Sequence, residues 1–468
     1  MADIIAFLDK KAGDLFSIAD QVWDFAEVGF QEVKSSKLQS DYLEACGFAV
    51  KRGVGGVPTA FVAEWGSGRP IIGYLGEFDA LSGVSQEISP ERKPRVVGGP
   101  GHGCGHNVLG TGALGAALAL KQALEETKTP GTVRYYGCPA EELLAGKVYM
   151  ARAGVFDDLD VAITWHGGST NSVRLGSGNA MNSAKFRFHG KTAHAAGDPH
   201  NGRSALDAVE LMNVGANYLR EHVINTARIH YVITEGGGQP NVVPAEAEVW
   251  YFVRAPHRSQ VEEIYARLLD VAKGAALMTG TTFDENYLTG CYEVLLNETL
   301  AEVMWKALQR VGPPKFDEKD LEFARKLAQT FDKANLEQMV KSPEFKELKG
   351  QVLNTTLVPP SGKGRAGGGS TDVGDVSWIV PTVQMSAATV PLGCPGHSWQ
   401  NCASSGSSIG NKAMLVASKT MALCGWELVR HPEEIAKAKA EFDELTKDAP
   451  YKCPFPKGRE LPLGEFFK

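Results

Sequence analysis

This chain has no apolar run as long as a membrane span, no basic cluster, no dense cysteine framework and no internal repeat or low-complexity tract. Each absence removes a class of protein. A spanning helix needs about 20 mostly apolar residues, so no membrane segment is expected. Nucleic-acid binding rests on Lys and Arg set against phosphates. Here 48 Lys and Arg are outnumbered by 55 Asp and Glu, for a formal net charge of −7. The eight cysteines lie scattered, at 46, 104, 138, 291, 394, 402, 424 and 453. A disulfide scaffold would crowd them, so reduced thiols and a cytoplasmic location are expected. The N-terminus, MADIIAFLDKKAGDLF, is amphipathic and mixed in charge, unlike a secretory signal. At 468 residues, with 43% hydrophobic and 22% charged, the composition is globular and the length exceeds one ordinary core. Two domains are the expectation.

What the chain does have is Gly101-His102-Gly103-Cys104-Gly105-His106-Asn107. Imidazole nitrogen and thiolate sulfur are the donors that borderline-soft divalent metals take. The intervening glycines carry no Cβ, so the backbone can aim several donors at one point. Val108 to Leu124 then reads as an apolar helix, which would anchor the donors at its start. A glycine-rich turn with incidental histidines is the competing reading; three donors in five residues favour the metal. Further donors follow. Thr132 to Ala140 reads as a strand ending in Glu141-Glu142. One glutamate could bind a metal while its neighbour takes a proton from water. Two solvated acids at a helix start would also suit the helix dipole. Val161 to Trp165 is a second apolar strand, ending in His166. Pro395-Gly396-His397 again sets a His behind a tight turn. Each late His alone is more often structural, but strand ends are where open α/β sheets bind ligands.

The organisation reads in three parts. Residues 1–178 alternate helical and strand signals: Ile4 to Cys46 largely helical, Thr59 to Trp65 and Ile71 to Asp79 as strands, and Gly83 to Gly103 as a long site-building loop. A new rhythm occupies 179–292. Strand (Asn182 to His189), helix (Ser204 to His222), two strands (Arg228 to Glu235, Glu246 to Arg254), helix (Gln260 to Met278) and strand form the ferredoxin-like split unit. Residues 293–468 return to the first domain, with helices at Glu298–Val311 and Ile409–Trp426 and a charged helical insertion at about 313–362. The expected fold is α/β, a mixed sheet flanked by helices, with an inserted α+β lid or dimerisation domain.

The ordered set HGCGHN, PAEE, a strand-end His, GKTAHA and PGHS resembles the aminoacylase/carboxypeptidase metallopeptidases. Within them it is similar to the amidohydrolase branch of the indole-acetyl-amino-acid hydrolases and p-aminobenzoyl-glutamate hydrolase. WYFVRAP at 250–256 and GGGSTDVGDVSW at 367–378 bring it nearest the p-aminobenzoyl-glutamate hydrolase proteins of that branch. The resemblance runs from about residue 15 to 425. It implies Cys104, His106, Glu142, His166 and His397 as ligands of two divalent ions, Mn or Zn, with Glu141 as general base. A mixed His/Glu/Cys set does not single out one metal. It implies Asp79, in GEFDAL, as an acid that orients a ligand. Other branches carry a ligand His where this chain has Glu77; the resemblance gives Cys104 the bridging role and assigns none to Glu77 or His102. It implies His194 as a donor to the developing oxyanion, reaching the site from a partner subunit. Asn241 and Arg254 would hold a substrate carboxylate, a planar guanidinium suiting that group; an exposed edge charge is the other reading of Arg254. Backbone N–H groups around Gly369 and Ser370 could join them, or the segment could be only a turn.

The implied protein is a homodimeric metal-dependent amidohydrolase of N-acyl or N-aroyl amino acids, a hetero-partner remaining open. A dipeptidase or general aminoacylase is the alternative within the class. A non-catalytic subunit that binds metal and ligand is the alternative outside it.

Overall fold

The computed structural model describes residues 3–341 and 343–467. In chain order its strands are β1 (Ala49–Arg52), β2 (Phe61–Ser67), β3 (Ile71–Glu77), β4 (Gly131–Cys138), β5 (Val161–Gly168), β6 (Ser172–Val173), β7 (Ala180–His189), β8 (Arg228–Glu235), β9 (Glu246–Ala255), β10 (Thr282–Cys291) and β11 (Thr382–Ala388). The chain divides into two units. The first comprises Met1–Gly176, Leu295–Arg365 and Val376–Tyr451; the second comprises Ser177–Val294, Ala366–Asp375 and Lys452–Lys468.

The first unit is built on a seven-stranded mixed sheet of order β1-β2-β4-β3-β5-β11-β6. The central strands β4, β3, β5 and β11 run parallel, and the flanking pairs are antiparallel. Parallel strands are covered on both faces and read as continuous apolar runs. β3, IIGYLGE, fits that rule, with all seven residues buried. Against the sheet lies the His106–Thr127 helix, buried over most of its surface. Its small residues permit close approach: a Cβ on Gly110 would stand 2.4 Å from the Glu77 carbonyl. Trp165 of β5 donates its Nε1–H to the Leu109 carbonyl at 2.9 Å, tying sheet to helix. This helix therefore sits directly on the strand ends that carry the candidate site.

The second unit has four antiparallel strands in the order β10-β7-β9-β8, with helices Ala205–Leu219 and Arg258–Thr279 between strands. That is the β-α-β-β-α-β unit expected from the sequence. Inward positions Ala184, Phe186 and Phe188 alternate with outward ones along β7. Phe186 packs edge-on to Tyr251 of β9, ring centroids 5.8 Å apart.

The structure draws the division of the chain differently from the sequence reading, which returns all of 293–468 to the first domain. Residues 366–375 and 452–468 belong with the second unit. The C-terminal segment lies on its sheet: Phe466 meets Trp250 and Phe455 meets Tyr287. The Lys185 ammonium donates to the Glu465 carbonyl at 2.7 Å. The Ile4–Cys46 stretch is two helices, Ile4–Phe25 and Val33–Ala45, broken where Ala26 and Phe30 take φ of 44° and 62°. Among the described residues no helix is long and apolar enough to cross a membrane.

Candidate metal centre

The candidate donors come together in the first unit because they all follow the same ends of the parallel strands. Glu77 ends β3 and Asp79 lies just beyond it; Glu141 and Glu142 follow β4; His166 lies near the end of β5; His397 follows β11. In open α/β sheets this edge is where ligands bind. Cys104 and His106 reach it from the start of the His106–Thr127 helix. Gly105 makes that entry possible, capping the helix at φ 78°, a left-handed conformation costly for other residues.

Among the described residues three donor groups are close enough to hold a metal, with ligand atoms within 4.8 Å of one another: Cys104, His106 and His166; Cys104, Glu142 and His397; and Glu77, His106 and Glu141. Cys104 belongs to the first two. Its sulfur lies 3.3 Å from His166 Nε2, and His397 Nε2 lies 3.5 Å from Glu142 Oε2. His397 takes φ 51° and is exposed, whereas His106 is fully buried.

Hydrogen bonds fix which ring nitrogen each buried histidine offers. His106 Nδ1–H donates to Asp79 Oδ1 at 2.9 Å, and His166 Nδ1–H donates to the Gly167 carbonyl at 2.7 Å. Both Nε2 lone pairs therefore face the cluster, the usual support for a metal-bound imidazole. Asp79 also accepts the Glu142 N–H on its other oxygen at 2.9 Å. One buried carboxylate thus steers two candidate ligands. His102 is different: its Nε2–H donates to the Val22 carbonyl at 2.9 Å, and it belongs to no donor group. Burial, with His106 nearby, lowers its pKa to about 4, so it is a neutral structural residue.

The electrostatics call for a cation. Burial raises the Glu142 pKa to about 7, and Asp79 and Glu77 add to the rise. Burial pushes the Cys104 thiol to about 12, with Glu142 contributing. Glu77 is pulled below its ordinary value, although burial opposes this, by Lys147, His106 and His166. The Lys147 ammonium sits 2.6 Å from Glu77 Oε1, both groups buried. Glu77 Oε2, His106 Nε2 and Glu142 Oε1 are buried without a hydrogen-bond partner. Buried polar atoms are rarely left so, and all three point into the donor cluster. Divalent metals fit this donor set. The sequence alone assigns no role to Glu77 or Lys147. A Glu beside a family motif and a Lys in an apolar helix give no local signal of a buried ion pair.

The other predicted residues lie in the second unit. His194 is exposed, and its Nδ1 accepts the backbone N–H groups of Ala196 and Gly197 at 3.2 and 3.0 Å. The proton is thereby placed on Nε2, which leaves that nitrogen a donor. The Asn241 carbonyl accepts the Ala195 N–H at 3.0 Å, so the His194 and Asn241 loops are neighbours. Arg254 lies 3.5 Å from the Ser370 hydroxyl, and its Nε is buried without a partner. The Gly369 carbonyl accepts the Asn179 N–H, and the Gly367 N–H is spent on Ser177. That last bond leaves the turn one fewer backbone donor for a ligand.

A cluster of thiol, imidazole and carboxylate donors at the ends of parallel strands defines, with the α+β unit of the same chain, a metal-dependent hydrolase of peptide-like amide bonds. Residues 179–277 match the model of the peptidase dimerisation domain. Over 94% of its length and 94% of the relative's, the chain is 43% identical to one of the named subunits of p-aminobenzoyl-glutamate hydrolase from Escherichia coli. It is 28% identical to the Xaa-Arg dipeptidase of Mus musculus, over 93% of this chain and 90% of that one. A dinuclear metal-binding peptidase of the M20 family from Bacillus subtilis shares the fold at 19% identity. Its TM-score is 0.57, over 90% of this chain and 99% of that one. The chain belongs to the M20 metallopeptidases, in the family of that p-aminobenzoyl-glutamate hydrolase protein.

Proposed function

We propose that this protein cleaves the amide bond joining an acyl or aroyl group to an amino acid, p-aminobenzoyl-glutamate being the substrate suggested by the name of the Escherichia coli relative. Two divalent ions, Mn or Zn, are held by Cys104, His106, Glu142, His166 and His397. The observation that carries this is that the five residues fall into two donor groups, Cys104 with His106 and His166 and Cys104 with Glu142 and His397, each of which would hold one ion. When bound, such ions lower the pKa of water towards about 7 and polarise a carbonyl. Glu141 takes the proton of the attacking water and delivers it to the leaving nitrogen. Asp79 keeps His106 in the tautomer that offers Nε2. His194 offers Nε2–H to the carbonyl oxygen as charge develops there. Arg254, with Asn241 and the Gly369–Ser370 turn, holds a carboxylate of the substrate.

The name of the mouse relative keeps a dipeptidase activity as the second reading. A hydrolysis screen decides between them. Protein loaded with Mn or Zn should cleave p-aminobenzoyl-glutamate and related aroyl-amino acids faster than dipeptides. Turnover of dipeptides alone would favour the second reading, and no turnover of either would defeat both. None of the eight cysteines is in a disulfide, which supports a reducing compartment such as the cytoplasm.

The dimerisation domain supports a dimer in which His194 of one chain completes the site of the other. An identical partner is proposed, although the Escherichia coli relative is named as one subunit of a hydrolase. The exposed edge strand β8 offers unpaired backbone groups and the side chains Tyr231, Val232 and Ile233 for pairing. Mixing His194→Ala with Glu141→Gln protein should restore part of the activity, because a mixed dimer carries one site with neither change. Confirmed subunit exchange without recovered activity would overturn the shared site.

A further inference from the structure

Arg174 follows β6 at the edge of the seven-stranded sheet, and the family resemblance supplies no role for it. Its backbone is held on both sides. The N–H donates to the Gln384 carbonyl at 2.9 Å, and on the other side it bridges with Ser361. The register fixes its direction. Ser386 of β11 pairs with His166 on one side and Ser172 on the other. Side chains alternate along a strand, so Arg174, two residues after Ser172, lies on the same face as His166.

The head group is uncommitted. Arg174 is exposed, and its polar side-chain partner among the described residues is Gln384 Oε1, at a long 3.4 Å. No carboxylate in the described residues forms an ion pair with it. Yet it sits in the field of the metal cluster. Crowding by the surrounding protein lowers its pKa, while Cys104, Glu77 and Glu141 act to raise it. It contributes in turn, after burial, to the lowering of His166. Its side chain is reached by solvent on the face of the sheet that carries His166. The buried cation of this region, Lys147, is taken by Glu77.

We propose that Arg174 is a substrate-binding residue of the metal-bearing unit, and that its guanidinium takes a carboxylate of the amino-acid half of the substrate. The proposal rests on the amidohydrolase reading above. A guanidinium is always charged and matches a carboxylate through two parallel N–H···O bonds. A backbone pinned on both sides preorganises such a clamp and lowers the ordering cost of binding. An N-acyl-glutamate offers two carboxylates, at the α position and on the side chain, and the experiment separates them.

Metal-loaded Arg174→Ala and Arg174→Gln proteins are compared with the parent on N-benzoyl-glutamate, N-benzoyl-glutamine and N-benzoyl-isoglutamine. Loss of a charge-assisted pair should raise KM on N-benzoyl-glutamate about 10- to 100-fold, with metal content unchanged. On whichever amide removes the carboxylate held by Arg174, the substitution should cost less than about threefold. That amide identifies which carboxylate it is. A second readout needs no turnover: calorimetric binding of free glutamate to metal-loaded Glu141→Gln protein should weaken by a similar factor when Arg174→Gln is added. If the parent hydrolyses no acyl-amino acid but glutamate binding still depends on Arg174, the functional reading fails and the carboxylate site stands. KM and glutamate affinity within twofold of the parent would overturn the proposal. So would an equal loss of kcat on all three substrates, which would point to the reacting carbonyl instead.

Discussion

Replacing Asp79 by Asn should cost metal affinity even though the residue is expected to touch no metal. Both Asp79 oxygens accept hydrogen bonds, from His106 Nδ1–H and from the Glu142 backbone N–H, each at 2.9 Å. An asparagine has one carbonyl oxygen and one amide NH2, so in either orientation an N–H faces an N–H. If the amide faces His106, its N–H opposes the ring Nδ1–H, and the backbone carbonyl of residue 79, 3.1 Å from Nδ1, is left to hold the tautomer against a shift of the proton to Nε2. If it faces Glu142, a buried backbone donor is orphaned beside a candidate ligand. One charge-assisted bond is lost, worth about 1.5–3 kcal/mol, and a stranded buried donor adds about 1–3 kcal/mol. One effect opposes these: Asp79 helps raise the Glu142 pKa, so its removal eases deprotonation of that ligand. The opposing effect is smaller, because burial is the leading cause of the Glu142 shift. The expected net result is about a 10- to 100-fold loss of metal affinity, the range for removing a residue that orients a ligand. Calorimetric titration of metal-free protein with zinc, using a competing chelator, measures it directly. Zinc affinity within about threefold of the parent would refute the assignment of Asp79 as the residue that orients His106 and Glu142.

Glu141→Gln should abolish turnover with metal content nearly intact, while Glu142→Gln should lose metal as well; elemental analysis beside an activity assay separates the two, since an amide cannot take a proton. Arg254→Ala should raise KM about tenfold or more on free-carboxylate substrates and less on amidated analogues; equal losses on both would mark a folding defect. Glu32 is fully buried, accepting the Ala140 N–H at 2.8 Å and the Thr59 hydroxyl at 3.0 Å, and burial, with Asp79 adding to it, raises its pKa to about 8. An acid whose folded pKa is raised binds more protons folded than unfolded, so metal-free protein should lose stability as pH climbs from about 4.5 to about 8. Glu32→Gln should flatten that part of the profile in thermal melts, and an unchanged profile would show that Glu32 is ionised throughout.

The gathering of the candidate donors was legible because each sits next to a local signal: a glycine-flanked Cys and His before a helix, acids after a strand, a His behind a tight turn. The βαββαβ unit was legible for the same reason, as its alternation of periods is local. What the sequence could not show depends on contacts between distant segments. Lys147 becomes the partner of Glu77 only when the fold brings the Gly146–Arg152 helix and the end of β3 together. His102 is indistinguishable from His106 in HGCGH, yet it turns to Val22, 80 residues away. The 366–375 segment and the C-terminal tail join the second unit through single aromatic and polar contacts such as Phe466 on Trp250, which leave no periodic trace.

Charge balance argues for two ions rather than one. The cluster gathers the carboxylates of Glu77, Asp79, Glu141 and Glu142 with the sulfur of Cys104, five groups that are anionic when ready to bind metal. Asp79 and Glu77 are held ionised by their neighbours, whereas Cys104 and Glu142 are pushed towards their neutral forms. Glu32 is pushed the same way, by burial first and then by Asp79. Lys147 offsets one negative charge; His106, which Cys104 and Asp79 hold protonated despite its burial, would give up its Nε2 proton to serve as a ligand. Four charges remain, which is what two divalent ions carry. A single ion would leave two anionic groups uncompensated in a buried site, a cost of several kcal/mol each, and one of them would hold its proton instead. The two groups nearest that choice are Cys104 and Glu142. These are the residues that, with His397, make up the second donor group, and holding an ion there would require both to be deprotonated.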